Sequence, residues 1–122
     1  MAKQRTVCIE IPKSLLEQIS QRSYLNGRSR NAEFRYLIDA ALAEAGDLDI
    51  VVKMPKDQKV KSGARFDYDI YQLLKERSAT LHRGLGPEIV RLAAYAIQRG
   101  TDRDLEVIRQ MLNRGSEAHD TQ

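Results

Sequence analysis

The sequence predicts a mainly α-helical fold that contains a short two-stranded antiparallel ribbon. Residues 6–11 alternate apolar and polar side chains, with Val7, Ile9 and Ile11 on one face, which is typical of a strand with one buried face. Two segments follow in which apolar residues recur at three- and four-residue spacing, as they do in amphipathic helices. Because a lone short strand leaves its backbone groups unpaired, the strand requires a partner strand.

Two helices are predicted directly after this first strand. The first starts at Pro12, since proline lacks only an N–H group that the first helical turn leaves unpaired. Gly27 suits the left-handed conformation that ends many helices, and Ser29 suits the N-cap of the second helix. The apolar face of the first helix comprises Leu15, Leu16 and Ile19, and that of the second comprises Phe34, Leu37, Ile38 and Leu42.

The same pattern returns when the chain is shifted by 55 residues. The shift places Ile11 on Phe66, and the Arg-Ser pair at 22–23 on the one at 77–78. A second strand at residues 60–66 is therefore expected, followed by a helix that begins after Asp67. The breaker string at residues 83–86 makes the next turn about two residues longer than the first turn. The last helix of the repeat then begins at a proline.

Residues 50–54 also read as a strand, so the partner of the first strand is either this segment or 60–66. We favour 60–66, because a helical pattern follows Asp67 but none follows Pro55. If 60–66 is the partner, one chain supplies both strands of the ribbon as a pseudo-dimer. Otherwise, two chains pair as an ordinary homodimer.

These elements divide the chain into five predicted segments. A C-terminal helix starts at an N-cap, Thr101, with Asp104 at capping-box spacing. The segments are a strand–helix–helix unit at 1–46, a linker or extra strand at 47–59, a second such unit at 60–100, the C-terminal helix at 101–115 and a disordered tail at 116–122.

Composition and charge exclude several classes of function. The net charge of +3 is compatible with nucleic-acid binding, and a basic string runs from Lys53 to Arg65. The single cysteine precludes an internal disulfide and suits the cytoplasm. Neither a membrane-spanning apolar run nor metal-ligand spacing nor a catalytic motif is present. We therefore expect a cytoplasmic protein that is not an enzyme and has no cofactor, no metal site and no membrane partner.

The first strand and helix pair resemble the ribbon-helix-helix family, in particular its Arc-like and TraY-like members. The resemblance rests on Ile11-Pro12, Asn26-Gly27-Arg28-Ser29, Asn31, Glu33 and the apolar positions of both helices, without a gap from Thr6 to Leu42. It implies two tandem ribbon-helix-helix units plus the C-terminal helix. It also implies that the polar face of the ribbon enters the DNA major groove while the N-terminus of the second helix holds a phosphate.

The resemblance assigns two sets of DNA-contacting residues. Base contacts are expected from Arg5, Thr6, Cys8, Glu10, Lys61 and Arg65. Phosphate contacts are expected from Ser29, Arg30, Asn31, Lys56, Arg83 and Gly86. Gly86 is placed at the position that matches Ser29, and Arg83 is expected to replace the side-chain oxygen that glycine lacks. Arg28 and Glu33 are expected to form a partly exposed ion pair, with the third position of a charged triad lost to Leu37.

The predicted function is sequence-specific binding of double-stranded DNA, as a transcriptional repressor or as an accessory protein of a plasmid relaxosome acting in conjugation. Assembly into higher oligomers on DNA is compatible with this function. The alternative is an antitoxin with an N-terminal DNA-binding domain and a C-terminal toxin-binding region. The folded, repeat-like pattern after residue 60 argues against the alternative, because free antitoxin tails tend to be disordered.

Overall fold

A computed structural model describes residues 3–99, which form one two-stranded antiparallel sheet and four helices. The elements in chain order are β1 (Gln4–Pro12), α1 (Lys13–Leu25), α2 (Arg30–Ala45), β2 (Lys59–Asp67), α3 (Tyr68–Thr80) and α4 (residues 85–99). The helix predicted at 101–115 and the tail predicted at 116–122 lie outside the described residues.

The two strands pair along their whole length within one chain. Gln4 lies opposite Asp67, and Pro12 lies opposite Lys59, so the register is centred on the pair Cys8 and Gly63. The partner of the first strand is thus the segment predicted at 60–66. The other candidate, 50–54, forms no strand. The class is mixed α/β, in which a single two-stranded ribbon supports the helices.

The strand and helix boundaries repeat at a constant offset of 55 residues. β2, α3 and the start of α4 lie 55 residues after β1, α1 and the start of α2. The backbone bonds that enter α1 and α3 repeat as well: Lys13 N donates to Gln58 O and Tyr68 N to Lys3 O, both at 2.9 Å. The central pair of the ribbon, Cys8 and Gly63, therefore marks an approximate twofold axis.

The turn between α3 and α4 corrects one expectation. We predicted this turn to be about two residues longer than the first, but the two turns have the same length. The reason is the backbone at His82, whose φ of 54° reproduces the left-handed conformation of Gly27, with a φ of 65°. A non-glycine residue adopts this conformation at some cost, and here it allows α4 to begin at residue 85, before Pro87.

One face of the ribbon and the inner faces of the helices form a single core. Ile9, Ile11, Ala64 and Phe66 of the ribbon are buried, and the Phe66 ring meets the edge of the Phe34 ring at a centroid distance of 6.2 Å. The buried helical side chains include Leu15 and Ile19 of α1, Leu37 and Ile38 of α2, Leu74 of α3, and Ile89 and Leu92 of α4. Burial of this shared core holds both helix pairs on the same side of the ribbon.

The segment between α2 and β2 is irregular chain that packs along α4. Ile50 is buried in the core, and its carbonyl accepts from Arg91 Nη2 at 2.9 Å. Further along, the carbonyl of Lys53 accepts from Gln98 Nε2 at 2.8 Å. The extra strand considered for residues 47–59 is therefore wrong for 47–58, because side chains of α4 satisfy backbone carbonyls of this linker that a sheet would otherwise pair.

A buried glutamate near the start of α2 corrects the expected ion pair. Glu33 is fully buried and accepts from Arg28 Nη1 at 2.9 Å, with Arg22 Nε at 3.4 Å and the Asn26 amide also contacting its carboxylate. The third member of this charged cluster is therefore Arg22, and the place lost at Leu37 is filled from α1. Arg28 is the partly exposed member, and its guanidinium lies 4.2 Å from the centre of the Tyr36 ring.

The second repeat carries the matching cluster. Glu88 is fully buried and accepts from Arg77 Nε at 2.8 Å and from Arg83 Nη1 at 3.2 Å. The remaining nitrogens of Arg77 donate to the carbonyls of Gly46 and Leu48, both at 2.6 Å. A buried guanidinium is tolerated only when its donors are satisfied, so these bonds also fix the start of the linker against α3.

Two adjacent leucines of α3 provide a matched test of the core. Leu74 is fully buried, whereas Leu73 is 49 % exposed. We expect Leu74→Ala to lower the free energy of unfolding by about 3 kcal/mol, because it leaves a cavity in the core, and Leu73→Ala to lower it by less than about 1 kcal/mol. Urea denaturation followed by circular dichroism measures both values. Equal losses in the two variants would contradict this packing.

Candidate nucleic-acid interface

The outer face of the ribbon is polar and open to solvent. Side chains alternate along a strand, so the residues between the buried positions must face outward. Three cross-strand pairs form this face: Thr6 opposite Arg65, Cys8 opposite Gly63, and Glu10 opposite Lys61. All six residues are exposed. Five of the six residues predicted to contact bases thus lie together, and Gly63 joins them.

The outer face has chemistry suited to base edges. Arg65 and Lys61 are donors, Glu10 is an acceptor and Thr6 is both. The small residues at the centre, Cys8 and Gly63, add little height to the ribbon. A two-stranded ribbon fits the DNA major groove, which is about 12 Å wide.

Arg5 is the predicted base-contacting residue that does not share this face. It lies opposite Phe66, so it has the alternation of the buried side of the ribbon, although its position near the strand end leaves it exposed. Its guanidinium lies 5.8 Å from the centre of the Tyr68 ring. The structure therefore places Arg5 at the end of the ribbon, beside the start of α3.

The N-terminus of α2 lies beside β2 and carries two of the predicted phosphate ligands. Ser29 is the N-cap, and its Oγ accepts from Ala32 N at 3.1 Å. Arg30, the first helical residue, is exposed. The unpaired N–H groups and the positive end of the helix dipole at such a terminus favour an anion.

Asn31 has a role that the sequence pattern did not indicate. Its Oδ1 accepts from Arg65 N at 2.9 Å, while its Nδ2 donates to Arg65 O at 3.2 Å. The amide thereby pairs with the outer edge of β2 as a neighbouring strand would. This two-bond contact fixes Ser29 and Arg30 beside Arg65, and the phosphate contact predicted for Asn31 itself stays a prediction.

The N-terminus of α4 lies beside β1 but has different residues. A Cβ atom added at Gly86 would lie 3.8 Å from Ile9 Cγ2 and 3.9 Å from Cys8 O, so the helix passes close to the strand. The constant offset matches Ser29 with Gly84, whose carbonyl accepts from Glu88 N as that of Ser29 accepts from Glu33 N. The predicted match of Gly86 with Ser29 is therefore wrong, and Gly86 corresponds to Asn31.

Arg83, predicted to contact a phosphate beside Gly86, is engaged within the fold. Its guanidinium donates to both carboxylate oxygens of Asp49, at 2.7 and 3.0 Å, and to Glu88 at 3.2 Å. The hydrogen bonds to Asp49 raise the pKa of Arg83, and the same bonds lower the pKa of Asp49. These bonds fasten the linker to the turn before α4, because three acceptor atoms hold a guanidinium that we expected to be free for DNA.

The end of the linker brings Lys56 to the ribbon. Asp57 accepts from the backbone N of Ser14 at 2.8 Å and from its hydroxyl at 2.7 Å, so it caps α1, whose own N-cap residue is Pro12. Lys56 lies next to this cap. Together with Lys59 and Lys61 it lines a groove of about 830 Å³ that borders the outer face of the ribbon.

Within residues 3–99, no group of three or more potential metal-ligating His, Cys, Asp and Glu side chains is found, and no helix of that range is long and apolar enough to cross a membrane. Comparison of the chain with known proteins found no matching family model, no similar curated protein and no similar solved structure.

The Asp57 cap predicts a pH-dependent stability. Hydrogen bonds from the N–H and hydroxyl of Ser14 lower the pKa of Asp57 from its ordinary value of 3.8. A carboxyl whose pKa is lower in the folded state stabilises the fold above its ordinary pKa, and this contribution is lost as the pH falls through the folded-state value. We therefore expect Asp57→Ala to lower the urea midpoint at pH 7, with the difference from wild type shrinking as the pH falls below 3.8.

Proposed function

We propose that this protein binds double-stranded DNA sequence-specifically by placing the outer face of its ribbon in the major groove. The observation that carries the proposal is the composition of that face: Thr6, Glu10, Lys61 and Arg65 are exposed in cross-strand pairs while the opposite face is buried. Exposed polar side chains on a ribbon of this width are suited to hydrogen bonding with base edges.

We also propose that the chain consists of two tandem ribbon-helix-helix units. The resemblance of the first unit to that family is supported by the constant offset of 55 residues and by the repeated turn at Gly27 and His82. In this interpretation the pairing of β1 with β2 joins two units of one chain, so the protein is an intramolecular pseudo-dimer.

The two ends of the outer face are proposed to read different bases. Arg65 is suited to a guanine, whose O6 and N7 accept two hydrogen bonds from a guanidinium, and Glu10 is suited to the amino group of a cytosine. Because Thr6 lies opposite Arg65 at one end and Lys61 lies opposite Glu10 at the other, the preferred site is not a palindrome.

Phosphate contacts are proposed on both sides of the ribbon. Ser29 and Arg30 at the start of α2 take the backbone on the β2 side, while Lys56 of the linker takes it on the β1 side. Gly84 and residue 85, which correspond to Ser29 and Arg30, offer no charged or hydroxyl side chain at the start of α4. Lys56 therefore provides the side-chain charge that this terminus lacks.

Such a protein fits a cytoplasmic transcriptional repressor or a relaxosome accessory protein, without enzymatic activity, and it requires no cofactor. The antitoxin alternative depends on a C-terminal toxin-binding region. Residues 59–99 favour the DNA-binding proposal over it, since their strand and helices share the core of the first unit.

The dependence of DNA affinity on salt tests the proposed function. If about 5 phosphates are contacted, a plot of log K against log salt concentration has a slope of roughly −4 to −5. Fluorescence anisotropy with labelled duplexes, including the DNA upstream of the gene and a plasmid origin, measures this slope. Absence of duplex binding at low salt would refute the proposal.

A pair of variants separates base reading from backbone contact. Arg65→Ala is expected to reduce the discrimination between specific and random DNA by about 1–3 kcal/mol, because it removes a base contact. Lys56→Ala is expected to weaken binding to both DNAs equally and to make the salt slope shallower by about 1. Equal losses on both DNAs from Arg65→Ala would reassign Arg65 to the phosphate backbone.

A further inference from the structure

The groove beside Lys56 exists because the two ends of the ribbon are closed differently. At the β2 edge, the Asn31 amide bonds to the backbone of Arg65, and Arg35 forms an ion pair with Asp67 at 2.8 Å. The constant offset places Gly86, Val90 and Pro12 at the positions of Asn31, Arg35 and Asp67. These three residues have no polar side chain, and all three line the groove.

The groove combines an apolar wall with a cationic rim. Met54 of the linker and Val90 of α4 contribute apolar surface, while Lys56, Lys59 and Arg91 contribute positive charge. Arg91 is held in place because its Nη2 donates to the Ile50 carbonyl at 2.9 Å. Its Nε is buried and has no hydrogen-bond partner among the described residues.

We propose that this groove binds a small organic anion that has an apolar body and one carboxylate, phosphate or sulfonate group. Its volume of about 830 Å³ lies within the range of about 300–1,000 Å³ that is usual for small-molecule sites. The apolar wall takes the body of the ligand, and the lysines neutralise its charge at the rim. The single carboxylate that lines the groove, Glu10, lies on the side of the ribbon face.

The position of the groove makes such a ligand a regulator of DNA binding. Glu10 and Lys61 line the groove and also belong to the outer face of the ribbon. A ligand seated there shields these side chains from a base edge, so ligand and DNA exclude each other. This regulatory role rests on the proposed function, whereas the ligand site does not depend on it.

The probe for the site is 8-anilinonaphthalene-1-sulfonate, which carries a sulfonate on an apolar body and becomes fluorescent in apolar surroundings. We expect saturable binding to the full-length protein and about tenfold weaker binding to Gly86→Asn, which introduces the residue of the matching position and fills the groove. The added Cβ makes only ordinary van der Waals contacts. Circular dichroism establishes that the variant is folded.

A second variant keeps the test valid if Gly86→Asn fails to fold. Lys56→Gln combined with Lys59→Gln changes only exposed residues and is expected to weaken probe binding by about fivefold to tenfold. The control is Lys75→Gln, an exposed lysine of α3 that does not line the groove. Equal probe affinity in the wild type and in the folded groove variants would overturn the proposal.

Two further ligands test the chemical class. N-phenyl-1-naphthylamine has a similar apolar body without the sulfonate, and sodium sulfate has the charge without the body. We expect the amine to bind about tenfold more weakly than the probe, and sulfate at the probe's concentration to leave the probe bound. Equal binding of the uncharged amine would overturn the assignment to an anion, and displacement by sulfate would reduce the site to an adventitious ion only.

Competition with a duplex tests the regulatory role. Addition of DNA is expected to release the probe from the wild type, and saturating probe is expected to weaken DNA binding by about tenfold or more. Simultaneous binding of probe and duplex would overturn the exclusion. If no duplex binds at all, the proposed function fails together with the regulatory role, while the probe titrations with the groove variants still decide the ligand site.

Discussion

The pairing of β1 with β2 inside one chain is the constraint on which the rest of this structure depends. Each strand alone would leave a row of unpaired N–H and C=O groups and could not persist in water. Once paired around Cys8 and Gly63, the strands turn one apolar face inward. The helices after each strand can bury their apolar faces only against that side, so the opposite side remains exposed and polar.

Two buried glutamates determine how each helix pair is joined to the ribbon. Glu33 and Glu88 are fully buried, and each accepts from arginines on the preceding helix and turn. A buried carboxylate without such partners would cost several kcal/mol, so these clusters favour one arrangement of each turn. The Glu88 cluster extends further than its counterpart, because Arg77 and Arg83 also bind the linker.

The linker breaks the approximate twofold relation of the two repeats. It follows α2, packs along α4 and ends by capping α1 through Asp57. Together with the difference between Asn31 and Gly86, it leaves a groove beside β1, whereas Asn31 bonds to the edge of β2. The asymmetry of the proposed DNA site and the proposed ligand groove have this common origin.

The sequence by itself determined the strands, the helices and the faces that they bury, because alternation and three- to four-residue spacing are carried by near neighbours. Tertiary structure alone decided which side chains are free to act. Asn31 meets Arg65, and Arg83 meets Asp49, each across 34 residues of chain. Local patterns do not report partners at that separation, so Arg83 read as available for a phosphate and Asn31 did not read as a bond to the ribbon edge. The length of the second turn was missed for a related reason, since His82 adopts a backbone conformation that its residue type does not indicate. The exposed pairs of the ribbon face could be predicted because they follow from alternation and one register, whereas the groove depends on the linker, α4 and β1 meeting in space.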